Sequence, residues 1–112
     1  MFARITTVTL RPGTAATDLL RVHERLVVLL KTMPGFVRYS AMIDRKNAKA
    51  VAIEYWQTVV DMHLRTKELS RLRKQVLADL GEIDVSVAEY EVAHRTRVRP
   101  TGAHPTQKSR TG

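Results

Sequence analysis

Hydrophobic positions along the chain recur with two different periods that take turns from Phe2 to about Ala93. From Phe2 to Leu10 the residues are rich in β-branched types, the composition of a strand, until Arg11-Pro12-Gly13 breaks it. From about Thr17 to Thr32, Leu19, Val22, Leu26, Leu29 and Leu30 fall on one stripe and predict an amphipathic helix. Thr17 is the expected N-cap, with Asp18 favourable in the first turn, and Met33-Pro34-Gly35 ends the helix. A second strand is predicted from Phe36 to Asp44 and a third from Ala50 to Trp56. The short polar stretch Arg45 to Lys49 between them implies an antiparallel hairpin. A long helix then runs from Val59 to Leu80, opened by Thr58-x-x-Asp61, with Leu69, Leu72, Val76 and Leu80 as its buried stripe. Thr66 in its middle is a point of bending or division, and Gly81 stops it. The last strand, Asp84 to Ala93, alternates Val85, Val87, Glu89 and Glu91 against Ser86, Ala88, Tyr90 and Val92.

The β-α-β-β-α-β order predicts an α+β ferredoxin-like sandwich with an antiparallel sheet over residues 1–93. From His94 the periodicity stops, and Pro100, Gly102 and Pro105 punctuate a basic tail, 94–112, expected to be flexible. One domain is the expectation for 112 residues. Cysteine is absent, which excludes disulfides, thiolate catalysis and cysteine-ligated zinc. No signal peptide is legible and no apolar run is long enough to span a bilayer, so a soluble, cytoplasmic protein with no membrane partner is expected. The net charge is +8, yet five cations without any acid lie in the tail. The basic character is thus mostly the tail's, and specific nucleic-acid binding is not implied.

Candidate chemistry is sparse. His23, His63, His94 and His104 lack the spacing that aims two imidazoles at one ion, so no metal site is expected. Trp56, the only tryptophan, has a ring suited to stacking on a flat substrate or to sealing strand three against the helix. His63 is a candidate general base, since imidazole titrates near neutrality. His23 is alone on the first helix. Arg38, Tyr39 and Glu54 are polar groups on middle strands, where a cavity or a partner subunit would explain them. Arg38 is placed to hold an oxyanion, and Tyr39 and Tyr90 to hydrogen-bond a ligand oxygen. The plainer alternative is that Arg38 and Glu54 pair with each other.

These residues also carry a resemblance. Arg11-Pro12-Gly13, Met33-Pro34-Gly35-Phe36, Ile53-Glu54-Tyr55-Trp56 and Met62-His63-Leu64-Arg65-Thr66 stand in the order of the antibiotic biosynthesis monooxygenase (ABM) family. The chain resembles that family, within the dimeric α/β-barrel superfamily, over residues 1–93. The resemblance implies a homodimer whose two sheets pack face to face, with a pocket between each sheet and its helices. It implies a cofactor-independent monooxygenase that oxidises an electron-rich aromatic, such as an anthrone, a hydroquinone or a polyketide intermediate, with O₂. In that reading Trp56, Glu54 and Tyr90 bind the substrate, His63 or Tyr39 manages the proton, and Arg38 stabilises the anion. The alternatives are a polyketide cyclase or isomerase on the same scaffold, or a non-catalytic dimeric ligand-binding accessory protein. A haem-degrading relative would carry Asn, Trp and His where Thr6, Arg65 and Lys74 stand here, so haem is disfavoured and no cofactor is expected.

Overall fold

The computed structural model describes residues 1–14, 16–81 and 84–96. The order is β1 (Phe2–Thr9), α1 (Ala16–Leu30), β2 (Phe36–Asp44), β3 (Lys49–Trp56), α2 (Val59–Leu64), α3 (Thr66–Ala78) and β4 (Asp84–Glu91). The strands form one antiparallel sheet in the order β2-β3-β1-β4, the ferredoxin-like arrangement the periodicity implies. The tail lies largely outside the described residues. No described helix is long and apolar enough to cross a membrane.

Register fixes what each face of the sheet carries. Arg4 lies between Glu54 and Glu89, Thr6 between Ala52 and Val87, and Val8 between Ala50 and Val85. Side chains alternate along a strand, so these rows share the face the helices cover. There Val8, Leu10, Ala50 and Trp56 meet Leu19, Val22, Leu26 and Leu30 of α1 and Met62, Leu69, Val76 and Leu77 of α2 and α3 in one core. Each such side chain, withdrawn from water as fully as Leu30 (0% exposed), contributes roughly 1.5–3 kcal/mol. Of the stripe expected on the long helix, Leu69 and Val76 are fully buried while Leu72 and Leu80 pack at the core's margin.

Two local differences from the sequence reading have physical causes. Thr17 is not the N-cap: α1 is already helical at Ala16, which places Thr17 inside its first turn. The long helix is two helices with the break at Arg65 (φ −124°, ψ 35°). In a continuous helix the Met62 carbonyl would accept the Thr66 backbone N–H. Here it accepts Arg4 Nη2 at 2.7 Å and the Thr66 hydroxyl at 3.4 Å, so side chains satisfy the carbonyl at the break between the helices. Thr58 caps α2, its Oγ1 accepting the Asp61 backbone N–H at 3.0 Å. Between α1 and β2 the chain turns at Gly35 (φ +79°), where an added Cβ would collide with the Asp61 carboxyl group.

The other face of the sheet has no described helix over it. It carries Ile5 and Ala3 of β1, Val51, Ile53 and Tyr55 of β3, and Met42, Ala88 and Tyr90 of the outer strands. Met42 and Tyr90 keep half or more of their free area exposed there, at 50% and 56%.

Candidate active site

The helix-covered face is polar in its middle, where a small domain would ordinarily place apolar residues. Arg4 (3% exposed) and Glu54 (2%) sit opposite each other on β1 and β3. Arg4 commits four of its five N–H donors, with Nη1 to Glu54 Oε1 at 3.2 Å, Nε to Glu89 Oε2 at 3.3 Å and Nη2 to the Met62 carbonyl and Thr66 Oγ1. Glu54 also accepts Arg73 Nη2 at 3.0 Å and the Trp56 indole N–H at 3.2 Å. Two guanidiniums therefore share one buried carboxylate. Such charges persist in a low-dielectric interior only when paired and hydrogen-bonded.

Beside this network a groove of about 320 Å³ runs between α3 and β4. Ser70, Arg73 and Lys74 form its helix wall, Val85 and Val87 its strand wall, and Leu77 closes it toward the core. Thr6 lies in register beside Val87, and its buried Oγ1 has no hydrogen-bond partner among the described residues. A polar wall facing an apolar one can hold a small molecule that has both a ring and a polar group. Two residues beyond Val87 on the same face, Glu89 Oε1 lies 2.7 Å from His63 Nε2. The bonds from His63 and Arg4 hold the Glu89 carboxyl below its ordinary range. A carboxylate fixed on one imidazole nitrogen orients the ring and leaves Nδ1 as the free base.

A second polar contact lies on the α1 side. His23 Nδ1 and Tyr39 Oη are 2.5 Å apart, and His23 Nε2 is buried without a partner among the described residues. Burial lowers the His23 pKa, favouring neutral imidazole. Burial and the negative charge of Glu54 push the Tyr39 phenol upward, which keeps it protonated.

The sequence-predicted residues are thus divided between faces. Glu54, Trp56, Tyr39 and His63 belong to the helix-covered side, Arg38 and Tyr90 to the open side. Arg38 does not pair with Glu54. A bulge between Phe36 and Arg38 turns it to the outer face, opposite Tyr55, where its guanidinium lies 4.9 Å from the ring centroid. Trp56 is 1% exposed and meets Phe36 edge-on, so its ring faces the core and its N–H steadies Glu54. Arg4, Arg73, Thr6 and Glu89 were not singled out in the sequence. The legible signal was Arg4 and Thr6 on the inward parity of an apolar first strand. Among the described residues no group of three or more His, Asp or Glu is arranged to hold a metal ion.

Comparison with known proteins bears first on the fold. No family model matches the chain. The solved structure of SnoaB, a cofactor-independent oxygenase from Streptomyces nogalater, superposes with a TM-score of 0.66 at 19% identity. That match covers 85% of this chain and 94% of SnoaB. Rv0793 from Mycobacterium tuberculosis superposes at 0.65 with 16% identity, over 86% of this chain and 98% of its own. An antibiotic biosynthesis monooxygenase structure superposes at 0.64 with 20% identity, over 84% of this chain and all of that one. The fold is therefore that of the antibiotic biosynthesis monooxygenase structures. Among curated proteins, Rv2557 of Mycobacterium tuberculosis is 26% identical over 105 residues, 92% of this chain. The chain spans about half (46%) of the length of that relative.

Proposed function

We propose that this domain, on the fold it shares with a cofactor-independent oxygenase, is a small monooxygenase acting on an electron-rich aromatic in the α3/β4 groove. The observation that carries the reading is the groove itself, apolar on its strand wall, with the His63–Glu89 pair outside its lining but farther along the same face of β4. The substrate class is a hydroquinone, an anthrone or a polyketide intermediate. Val85, Val87 and Leu77 would exclude water from the ring. His63, oriented by Glu89, would take the acidic proton through Nδ1 and leave a carbanion or phenolate, the species electron-rich enough to react with O₂ directly. For an anthrone the balance closes without a reductant. The methylene carbon takes one oxygen atom, and its two hydrogens leave with the other as water.

The fold supports placing the reaction beneath the helices, and so the roles fall on His63 and the groove. Tyr39, kept protonated against His23, serves as a fixed dipole in this reading, and Glu54 holds Arg73 in place. Arg38 and Tyr90, on the open face, are assigned to the contact with a second copy in a homodimer. No cofactor is required by this chemistry.

The test is oxygen uptake by purified protein with anthrones and hydroquinones, without added flavin or metal. The expected result is uptake with stoichiometric quinone, reduced about 10²-fold or more in His63→Ala. Product without oxygen consumption would establish a cyclase or isomerase instead. Tight binding without any conversion would establish an accessory protein.

A further inference from the structure

We infer that the groove selects an aromatic ligand bearing an anionic oxygen, a carboxylate or an ionised phenol, anchored by Arg73 and Lys74; this rests on the groove being the ligand site. Arg73 is the side chain that decides it. Its guanidinium is 12% exposed, and only Nη2 is committed, to Glu54 at 3.0 Å. The contrast with Arg4 is direct, because Arg4 spends donors on four separate acceptors. A guanidinium carries five N–H donors in a fixed fork and cannot shed its charge in a protein. Arg73 therefore presents unspent, charged donors on the wall of a groove whose opposite wall is Val85 and Val87.

Glu54 is shared by Arg73 and Arg4, and Arg4 has Glu89 as a second partner whereas Glu54 is the one acid paired with Arg73 among the described residues. The neighbouring Lys74 has no acid within ion-pair distance among the described residues and lines the same groove. Among the described residues Asp84, at the groove's end, is the one carboxylate lining it, beside the two cations Arg73 and Lys74. Burial already disfavours the Arg73 charge, and an anionic oxygen in the groove would engage the guanidinium donors that Glu54 leaves uncommitted. Thr6 Oγ1, buried and unpartnered beside Val87, is a further polar group next to that position. Arg73 holds the planar acid group by its fork, Lys74 adds a mobile point charge at the rim, and the valines take the ring.

The experiment is calorimetric titration of the intact chain with 1-hydroxy-2-naphthoate and with 1-naphthol, which share a ring system and differ in the carboxylate. The expected result is at least tenfold tighter binding of the naphthoate, a difference of about 1.4 kcal/mol, that shrinks as salt is raised. Lys74→Gln, at an exposed position outside the buried network, should reduce the preference severalfold without altering the melting temperature. Arg73→Gln should abolish it, and Arg73→Lys should keep part of the charge preference while losing the fork. Equal binding of the two probes, or a preference untouched by Lys74→Gln and by a folded Arg73→Lys, overturns the inference. Oxygen uptake with neutral hydroquinones in the same preparations separates the two claims. Uptake without charge preference leaves the oxygenase reading standing, and charge preference without uptake leaves the anion site standing.

Discussion

Glu54 carries more of the site than any other side chain, because three donors converge on one buried carboxylate. The sequence singled it out but paired it with Arg38, for a reason confined to one residue. Regular alternation from Phe36 would set Arg38 on the same face as Phe36, toward Glu54. The bulge between Phe36 and Arg38 reverses that parity, and a hydrophobicity pattern does not record a bulge. Arg4 and Arg73 were illegible for a different reason. A lone arginine in a strand or helix reads as solvated until tertiary pairing brings it to a distant carboxylate, 50 residues away for Arg4 and 19 for Arg73. His23 yields a pH prediction at this scale. Burial lowers its pKa in the folded chain, so below about 6.5 the unfolded state binds a proton that the folded state does not. Stability should therefore decline as pH falls from 6.5 toward the depressed folded value. Denaturant midpoints at pH 7.5 and 5.5 measure this, and His23→Gln should flatten the difference.

The elements were legible nearly throughout, because each strand and helix keeps its period and its punctuation agrees with it. The exception is the split of the second helical segment. Thr66 marked the place in the sequence, where its hydroxyl bonds the Met62 carbonyl, and the structure adds Arg4 of β1 reaching across to the same oxygen. The joint between α1 and β2 depends on Gly35 twice over, through a positive φ and through Asp61 pressing on it. Gly13 has φ +88° but open space around it, and so separates the two effects. Gly13→Ala should cost about 1 kcal/mol from backbone strain alone. Gly35→Ala should cost clearly more, about 2–4 kcal/mol, since the collision adds to the strain. Chemical denaturation of both variants checks the ordering, and equal costs would show that Asp61 moves aside freely.

At the scale of the molecule, one layer of helices over one sheet leaves the second sheet face to be covered by something else. Ile53 stands at its centre, opposite Ile5 on one side and Ser40 on the other. A homodimer through this face is the expectation, and Ile53→Glu should convert it to a monomer in sedimentation velocity while the helix-side core remains folded. The open face was foreseeable from the alternation of β1 and β3. The groove was not, because it exists only where α3 stands off from β4, a distance no single segment encodes.

One feature extends across these scales. Trp56 is the only tryptophan in the chain, it is sealed from solvent, and its indole N–H ends on the carboxylate that holds Arg73. The protein thus contains a single indole, joined through one carboxylate to an arginine of the groove wall. A ligand that engages Arg73 should change the field that Glu54 sets at the indole, so tryptophan emission should report occupancy of the groove without a label.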